Sequence, residues 1–273
     1  MIRDITFGQY YAASSPLHRL DPRVKLVLLI ELIVFLFLAK NAWSLLFCGL
    51  FTLLIAAASR VPAKKYIKNL KPILFILVFT AVINLFYTSG GKVLAEFWIF
   101  KITVGGIYRA AFMSFRIVLL IVLSSALTYT TTPNDLTDGL ERMLSPFKYI
   151  GLGAAVHTLA MMMTITLRFI PTLVDETDKI MNAQKARGAD LESGGITERI
   201  KALIPILIPL LISSVRRAYE LANAMECRCY NGGEGRTRMK QMKLHITDLI
   251  SSSVCVAASA GVLLINLIPE IPV

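Results

Sequence analysis

Long apolar runs separated by short polar segments are the dominant pattern of this chain. Five of them cover roughly residues 23–40, 42–59, 72–88, 106–129 and 246–268. A helix needs about 20 mostly apolar residues to cross the hydrocarbon core of a bilayer, and these runs approach that length. The pattern therefore predicts five transmembrane helices.

Two further apolar stretches, residues 152–170 and 203–212, are harder to interpret. The second is short for a span and contains Pro205 and Pro209. If only the first crossed, the Lys- and Arg-bearing segment 175–201 would lie outside, against the usual excess of these residues on the cytoplasmic side. We predict that neither crosses, although a pair of crossings would satisfy the same rule.

Start and stop signals divide the segment between the fourth and fifth runs into three helices. Thr132-Pro133-Asn134-Asp135 is typical of a helix start, and that short helix should end before Pro146. A second helix should run from about residue 152 to Gly188, and a third from Thr197 to the residue before Asn231. At 1.5 Å per residue, the two long helices should each extend about 45–55 Å.

The predicted fold is therefore an all-α polytopic membrane protein. Residues 1–130 form an N-terminal membrane domain with four spans, residues 131–243 a cytoplasmic module, and residues 244–273 a last span. The N-terminus is expected inside and the C-terminus outside.

Composition agrees with this fold. Hydrophobic residues make up 55% of the chain and the mean hydropathy is +0.63, which excludes an ordinary soluble domain. The net charge of +11 is explained by Lys and Arg in cytoplasmic loops, so no nucleic-acid partner is expected. The four cysteines and three histidines lack the spacing of a zinc site, and no metal site is expected.

One phrase occurs twice. Asn182-Ala183-Gln184-Lys185-Ala186-Arg187-Gly188-Ala189 is echoed by Asn223-Ala224-Met225-Glu226-Cys227-Arg228-Cys229-Tyr230. Each arginine is expected in the last turn of a long helix, where a cation can simply complement the helix dipole. Dipole compensation does not require small neighbours on both sides. The repeat therefore favours two arginines presented to carboxylates or helix-terminal carbonyls of partner chains.

The apolar parts of the two long helices form a second candidate surface. A methionine-rich face suits a partner that varies or moves, although burial against the spans or the lipid would explain it as well. The residues assigned to this surface are Ala160, Met161, Met162, Met163, Leu203, Leu207, Leu210 and Leu211.

Charged residues in the predicted spans are a third signal. Glu31 lies in the first span, and Arg109 and Arg116 lie in the fourth. Such charges usually face the protein interior and pair. We expect a structural role, with Glu31 and Arg116 as a candidate ion pair, rather than an ion pathway. The acidic residues Asp175, Glu176 and Asp178 are expected on a solvated face.

The sequence contains no Gly-x-x-x-x-Gly-Lys-Ser/Thr loop, so the chain is not expected to bind nucleotide through a P-loop or to be an enzyme. Any chemistry of ATP would have to be supplied by a partner.

Three parts of the sequence carry a family resemblance. They are the opening Ser15-Pro16-Leu17-His18-Arg19-Leu20-Asp21-Pro22-Arg23-Val24-Lys25-Leu26, the stretch Leu167-Arg168-Phe169-Ile170-Pro171 and the two arginine phrases. Together they resemble the transmembrane T component of energy-coupling factor (ECF) transporters. The resemblance covers essentially the whole chain. Ala186-Arg187-Gly188 matches the usual family phrase, whereas Cys227 and Cys229 replace the usual small residues around Arg228.

The resemblance implies a multi-pass protein of a prokaryotic plasma membrane, embedded in the lipid bilayer, that scaffolds an ATP-driven importer of vitamins or other micronutrients. Its partners would be two ABC-type ATPases, which bind ATP and Mg, and a small membrane-embedded S component, which binds the substrate. The two long helices would cross. Arg187 and Arg228 would each engage one ATPase, and the apolar faces would hold the S component.

Two alternatives differ from this reading. One is the T component of a dedicated cobalt or nickel importer. The other is a stand-alone channel or secondary transporter, which would need a polar site near the bilayer midplane and repeats across the spans. The repeat in this chain lies outside the five predicted spans.

Overall fold

The computed structural model describes residues 10–87, 93–97, 100–144, 146, 153–189, 195–231 and 245–267. The described residues form ten α-helices and one two-stranded antiparallel hairpin. The helices are α1 (Pro16–Arg19), α2 (Pro22–Leu38), α3 (Ala42–Ala58), α4 (Ala63–Leu70), α5 (Leu74–Tyr87), α6 (Val104–Thr130), α7 (Pro133–Met143), α8 (Gly153–Ala186), α9 (Ile196–Glu226) and α10 (Ile246–Ile265).

The all-α membrane fold is confirmed. Four helical segments are long and apolar enough to cross a membrane by length and composition: Ala63–Tyr87, which joins α4 to α5, and then α6, α8 and α10. The helices α2 and α3 occupy the first two predicted runs and have 17 residues each. Helix α8 meets the criterion but α9, which contains residues 203–212, does not, so the alternative of a pair of crossings is supported for its first member only.

The hairpin was not predicted. Strand β1 (Val93–Phe97) pairs with β2 (Phe100–Thr103) between α5 and α6. Its sequences, Val-Leu-Ala-Glu-Phe and Phe-Lys-Ile-Thr, contain the branched and aromatic residues that favour strands. Runs of four or five residues are too short to be distinguished from the ends of apolar helices by pattern alone.

The chain divides into two compact units. The described residues of the first, called the membrane unit, lie within Gly8–Gly139 and Gln241–Val273, and those of the second, called the α8–α9 unit, lie within Leu140–Lys240.

Local signals set the helix starts. Asp21 accepts a hydrogen bond from the backbone N–H of Arg23 at 3.0 Å, and Pro22 takes the first position of α2. Thr132 Oγ1 likewise accepts from the backbone N–H of Asp135 at 3.2 Å, and α7 begins at Pro133 as predicted. These caps satisfy N–H groups that have no partner inside the helix.

Two apolar clusters form the core of the membrane unit. The first joins α2, α3, α6 and α10 through Leu36, Ala39, Leu45, Cys48, Leu119 and Val262. At Gly49, a Cβ atom would lie 3.1 Å from the ring of Phe115, so glycine lets α3 and α6 approach closely. The second cluster contains Val61, Tyr66, Ala126 and Tyr129.

Buried polar groups tie the ends of three helices together. The Asp248 carboxylate accepts from the backbone N–H groups of Asp21 at 2.9 Å and His245 at 2.7 Å. Lys25 Nζ donates to the carbonyl of Thr130 at 2.9 Å and to Thr131 Oγ1 at 3.2 Å. Because an unpaired buried charge would be costly, these bonds hold the start of α2, the end of α6 and the start of α10 together.

Candidate functional site

The first arginine follows a helix that ends in a Schellman-type turn. Helix α8 ends at Ala186. The N–H of Gly188 donates to the carbonyl of Lys185 and that of Ala189 to the carbonyl of Gln184, both at 3.0 Å. Gly188 adopts a φ of 85°, in the left-handed region that terminates many helices. Arg187 therefore lies one residue beyond α8, within the turn.

The second arginine lies in a turn with the same hydrogen bonds. Helix α9 ends at Glu226. The N–H of Cys229 donates to the carbonyl of Glu226 at 2.8 Å, and that of Tyr230 to the carbonyl of Met225 at 3.1 Å. Cys229 has a φ of 54°. The donors and acceptors occupy equivalent positions in the two copies of the repeat.

The structure corrects the expected position of the arginines. We predicted both in the last helical turn, but Arg187 is one residue and Arg228 two residues past the last helical residue. The left-handed residue that follows each arginine reverses the chain there. We call residues 186–189 the first turn and residues 227–230 the second turn.

Both turns expose the arginine and its small neighbours. Arg187 and Arg228 are exposed, as are Ala186, Gly188, Cys227 and Cys229. In each copy the same two positions are half-buried, namely Gln184 with Ala189 and Met225 with Tyr230. The repeat therefore encodes one backbone shape and one pattern of exposure.

Gly188 is needed for its backbone conformation and not for space. A Cβ atom there would meet nothing within 4 Å. A non-glycine residue in the left-handed region costs about 1–2 kcal/mol, and Cys229 accepts that cost in the second turn.

Contacts between α8 and α9 show that the helices run antiparallel. Gln184 Nε2 donates to the carbonyl of Pro205 at 3.4 Å, and Tyr230 OH donates to Met161 Sδ at 3.0 Å. Residue numbers thus fall along α8 as they rise along α9. Arg187 lies 26 residues beyond Met161, so the two turns lie at opposite ends of the pair, about 40 Å apart along the axis at 1.5 Å per residue.

A proline explains why Gln184 can bond to the backbone of α9. Pro209 lies inside α9 and has no N–H. The carbonyl of Pro205, four residues earlier, consequently lacks its usual helical donor. The Gln184 amide occupies that position, which ties the last part of α8 to the first part of α9.

An ion pair joins the two helices midway between the turns. Arg217 Nη2 lies 2.7 Å from Glu176 Oε2, and Ser213 Oγ donates to Oε1 of the same carboxylate. Glu176 is eleven residues before Arg187, and Arg217 is eleven before Arg228. The pair therefore joins equivalent positions of the two repeat copies.

This ion pair was missed by the sequence interpretation, which placed Glu176 on a solvated face. Glu176 is half-buried between the helices. The 41-residue spacing of the repeat also separates Glu176 from Arg217. That spacing could have suggested the pair only if an antiparallel packing had been assumed.

The predicted apolar surface divides into an exposed and an inner part. Ala160 is 5% exposed and lies in the interior, and Met161 and Leu210 are half-buried. The exposed part, which we call the apolar face, contains Met162, Met163, Leu203, Leu207 and Leu211.

The predicted ion pair between Glu31 and Arg116 is wrong. Glu31 Oε1 accepts from Ser259 Oγ of α10 at 2.9 Å. The Arg116 guanidinium donates to the carbonyl of Ala39 and lies 4.8 Å from the centre of the Phe112 ring. Ala39 is eight residues beyond Glu31, or about 12 Å along the helix. Arg109 is exposed on α6.

Within the described part of the chain, no group of three or more His, Cys, Asp or Glu residues could hold a metal ion. The two turns and the apolar face are the exposed features of the α8–α9 unit that could contact a partner.

Known proteins resemble this chain over nearly its full length. A profile of the family described as cobalt transport protein, CbiQ, matches residues 13–239. A protein of Ruminiclostridium cellulolyticum named energy-coupling factor transporter transmembrane protein EcfT is 50% identical over 266 residues, 97% of this chain and 98% of that protein. Proteins of the same name from Clostridium kluyveri and Bacillus subtilis are 52% and 46% identical, covering 92% and 89% of this chain and 93% and 91% of their own length.

Proposed function

The chain belongs to the CbiQ family and is the transmembrane component of an energy-coupling factor transporter, and we propose that its two turns each dock on one of two ABC-type ATPases. The chain lies in a bacterial cell membrane as part of a multi-subunit transporter. Its named relatives favour this function over a dedicated cobalt or nickel importer.

The observation that carries the proposal is the shared geometry of the turns. Each presents one exposed arginine between small side chains just beyond the last residue of a long helix. A guanidinium always carries its charge and can donate two parallel hydrogen bonds to a carboxylate or to helix-terminal carbonyls. Small neighbours leave room for an enclosing pocket on the partner.

In this proposal the ATPases bind ATP and Mg and perform the hydrolysis, and the chain transmits their movement. ATP binding draws the two ATPases together and so shifts the turns. Since α8 and α9 are joined at Glu176 and Arg217, movement of the turns is passed along the helices.

The apolar face is the proposed binding surface for the S component. Met162, Met163, Leu203, Leu207 and Leu211 are large, exposed and apolar. Flexible methionine side chains can pack against partners of different shape. A shift of the helices would loosen the S component and release its substrate inside the cell.

The experiment that tests ATPase docking is a double charge reversal, Arg187→Glu with Arg228→Glu, in the complete complex. We expect ATPase co-purification and substrate uptake to fall at least tenfold, because a carboxylate cannot donate to the partner's acceptors. The matched control reverses two exposed cations of α9, Lys201→Glu with Arg216→Glu. It should retain ATPase co-purification and substrate uptake. Normal ATPase co-purification by the first variant would refute the proposal.

A second experiment tests the S component. Met162→Asp places a charge on the apolar face and should reduce S-component capture severalfold while ATPase co-purification is unchanged. Met162→Ala is the control for loss of side-chain volume and should have the smaller effect. Equal S-component capture by wild type and Met162→Asp would contradict this assignment.

A further inference from the structure

Helix α4 of the membrane unit has a basic outer face. Lys64 and Lys68 are one turn apart and exposed, and Lys71 follows at the start of a short 3-10 turn that leads into α5. Ile67 lies among them and is 65% exposed. At 3.6 residues per turn, positions 64, 68 and 71 lie on one side of the helix. We call these three lysines and Ile67 the basic face.

The opposite side of α4 is anchored to the membrane unit. Tyr66 is 7% exposed, its OH lies 3.0 Å from Ser59 Oγ, and its ring packs edge-on against Tyr129 at 5.4 Å between centres. Asn69 Nδ2 donates to Ser125 Oγ at 3.1 Å. These contacts fix the rotation of α4 about its axis, so the basic face must point away from the protein core.

The remaining lysine of α4 has a different environment. Lys65 Nζ lies 4.1 Å from the centre of the Tyr11 ring and 5.9 Å from that of Tyr129. Its charge is placed over aromatic faces of the protein's own chain, which stabilises the anchored side. Lys65 therefore is not part of the basic face.

No acidic residue lies near the basic face along the chain. The sequence from residue 32 to residue 95 contains no Asp or Glu. Among the described residues, no ion pair is formed by Lys64, Lys68 or Lys71. The positive charge of this face is thus left for an external anion.

We propose that the basic face binds the headgroups of anionic phospholipids. Through the short turn, α4 continues into α5, and Ala63–Tyr87 together are long and apolar enough to cross a membrane. The lysines therefore lie where a membrane-crossing segment begins. Lysines next to a span are attracted to anionic headgroups, and exposed Ile67 can enter the boundary between headgroups and acyl chains.

An acidic surface of a partner protein is the competing occupant. Continuity with the apolar span favours lipid, because none of the residues in the most apolar part of Ala63–Tyr87 is buried by the rest of the chain. Large exposed side chains such as Phe75, Ile76 and Phe79 give this segment an exposed apolar side, which is typical of a helix that contacts lipid. The basic face is the headgroup-level end of that segment.

The test uses the full chain in bilayers of phosphatidylcholine that contain spin-labelled phosphatidylglycerol or spin-labelled phosphatidylcholine. Electron spin resonance measures how strongly each labelled lipid associates with the protein. We expect a preference for phosphatidylglycerol of about threefold, and its loss at high salt because added ions screen exposed charges. The triple variant Lys64→Gln, Lys68→Gln, Lys71→Gln should reduce the preference to about one.

Two control variants keep this test specific. The triple arginine variant of the same positions retains the charge and should retain the preference. Lys40→Gln, which removes an exposed lysine just after the last residue of α2 and away from the basic face, should also retain the lipid preference. An unchanged preference in the triple glutamine variant would overturn the proposal, as would loss of the preference in the triple arginine variant.

The same variants distinguish lipid from protein. If the triple glutamine substitution lowered co-purification of another subunit while the lipid preference stayed at the wild-type value, the basic face would be a protein interface and the proposal would be wrong. This inference concerns the membrane unit and does not depend on ATPase docking by the two turns.

Discussion

The first and second turns have the same backbone hydrogen bonds but different residues at the left-handed position. The first turn uses Gly188, for which a φ of 85° is easy, and the second uses Cys229 at a φ of 54°. Both nevertheless expose the arginine in the same way. The difference shows that the repeated feature is the reversal of the chain after the arginine. Glycine favours this reversal, but another residue can also adopt it.

The environments of the two turns also differ. Tyr230 of the second turn donates to Met161 of α8, whereas Gln184, just before the first turn, donates to the backbone of α9. The second turn therefore has a large anchoring side chain where the first has Ala189. We expect this contact to offset part of the strain at Cys229.

Single charge reversals should give the largest effects. Arg187→Glu and Arg228→Glu should each lower uptake at least tenfold if each turn docks on its own ATPase. Loss of one ATPase from the purified complex with each variant would show separate docking sites. Arg→Lys at either position should lower uptake less, because lysine keeps the charge but not the two parallel N–H groups. Full uptake with either reversal would remove that turn from the mechanism.

A branched side chain at the left-handed position should distinguish the turns. Gly188→Val should destabilise the first turn by about 1–2 kcal/mol. Cys229→Val should cost less, because the second turn already contains a non-glycine residue. Hydrogen exchange at the amides of Ala189 and Tyr230, which donate in the respective turns, measures the two effects. Equal acceleration of exchange would show that strain does not distinguish them.

The ion pair midway between the turns should contribute a smaller amount. Glu176 and Arg217 have side chains that are 20% and 33% exposed, so a coupling of about 0.2–1 kcal/mol is expected. A double-mutant cycle with Glu176→Gln and Arg217→Met, followed by thermal unfolding, measures it. The exchanged pair Glu176→Arg with Arg217→Glu should recover part of the stability lost by either charge reversal alone. Additive losses would mean that the two residues do not interact.

Relief of strain in the second turn should give the smallest effect. Cys229→Gly should stabilise that turn by only about 0.5 kcal/mol, because the steric cost of about 1–2 kcal/mol that it removes is partly offset by the about 0.5–1 kcal/mol of conformational entropy that glycine loses on folding. Uptake should stay at the wild-type level, since the arginine is presented by the same backbone. Slower exchange of the Tyr230 amide is the expected result, and faster exchange would show that the cysteine side chain itself stabilises the turn.

Features that depend on neighbouring residues were predicted well. The start of α7 at Pro133 and the end of α8 just before Gly188 follow from a cap, a proline and a glycine close in sequence, whereas α9 ends at Glu226, four residues before the predicted end. The exposed arginines followed from their small neighbours. The exact helix ends were less well predicted, because a left-handed cysteine is an unusual helix stop and gives little signal in a sequence.

Features that depend on distant residues were not predicted. The pairing of Glu176 with Arg217, and of Glu31 with Ser259, depends on which sides of two helices pack together. Periodicity indicates an apolar face but not its neighbour. For the same reason Ala160, which the sequence pattern assigned to an exposed surface, lies in the interior of the α8–α9 unit.

By itself, the sequence determined that this protein is helical and membrane-embedded, that its long helices end within a few residues of the two similar phrases, and that each phrase presents an arginine. These properties depend on hydrophobic runs and local backbone preferences, which act over a few residues. Only the tertiary structure decided that α8 and α9 run antiparallel, that the two turns lie at opposite ends of that pair, and that Glu176 and Arg217 join it midway. These arrangements result from packing between residues far apart in the chain, whose free energy depends on the complementarity of two surfaces and not on either surface alone.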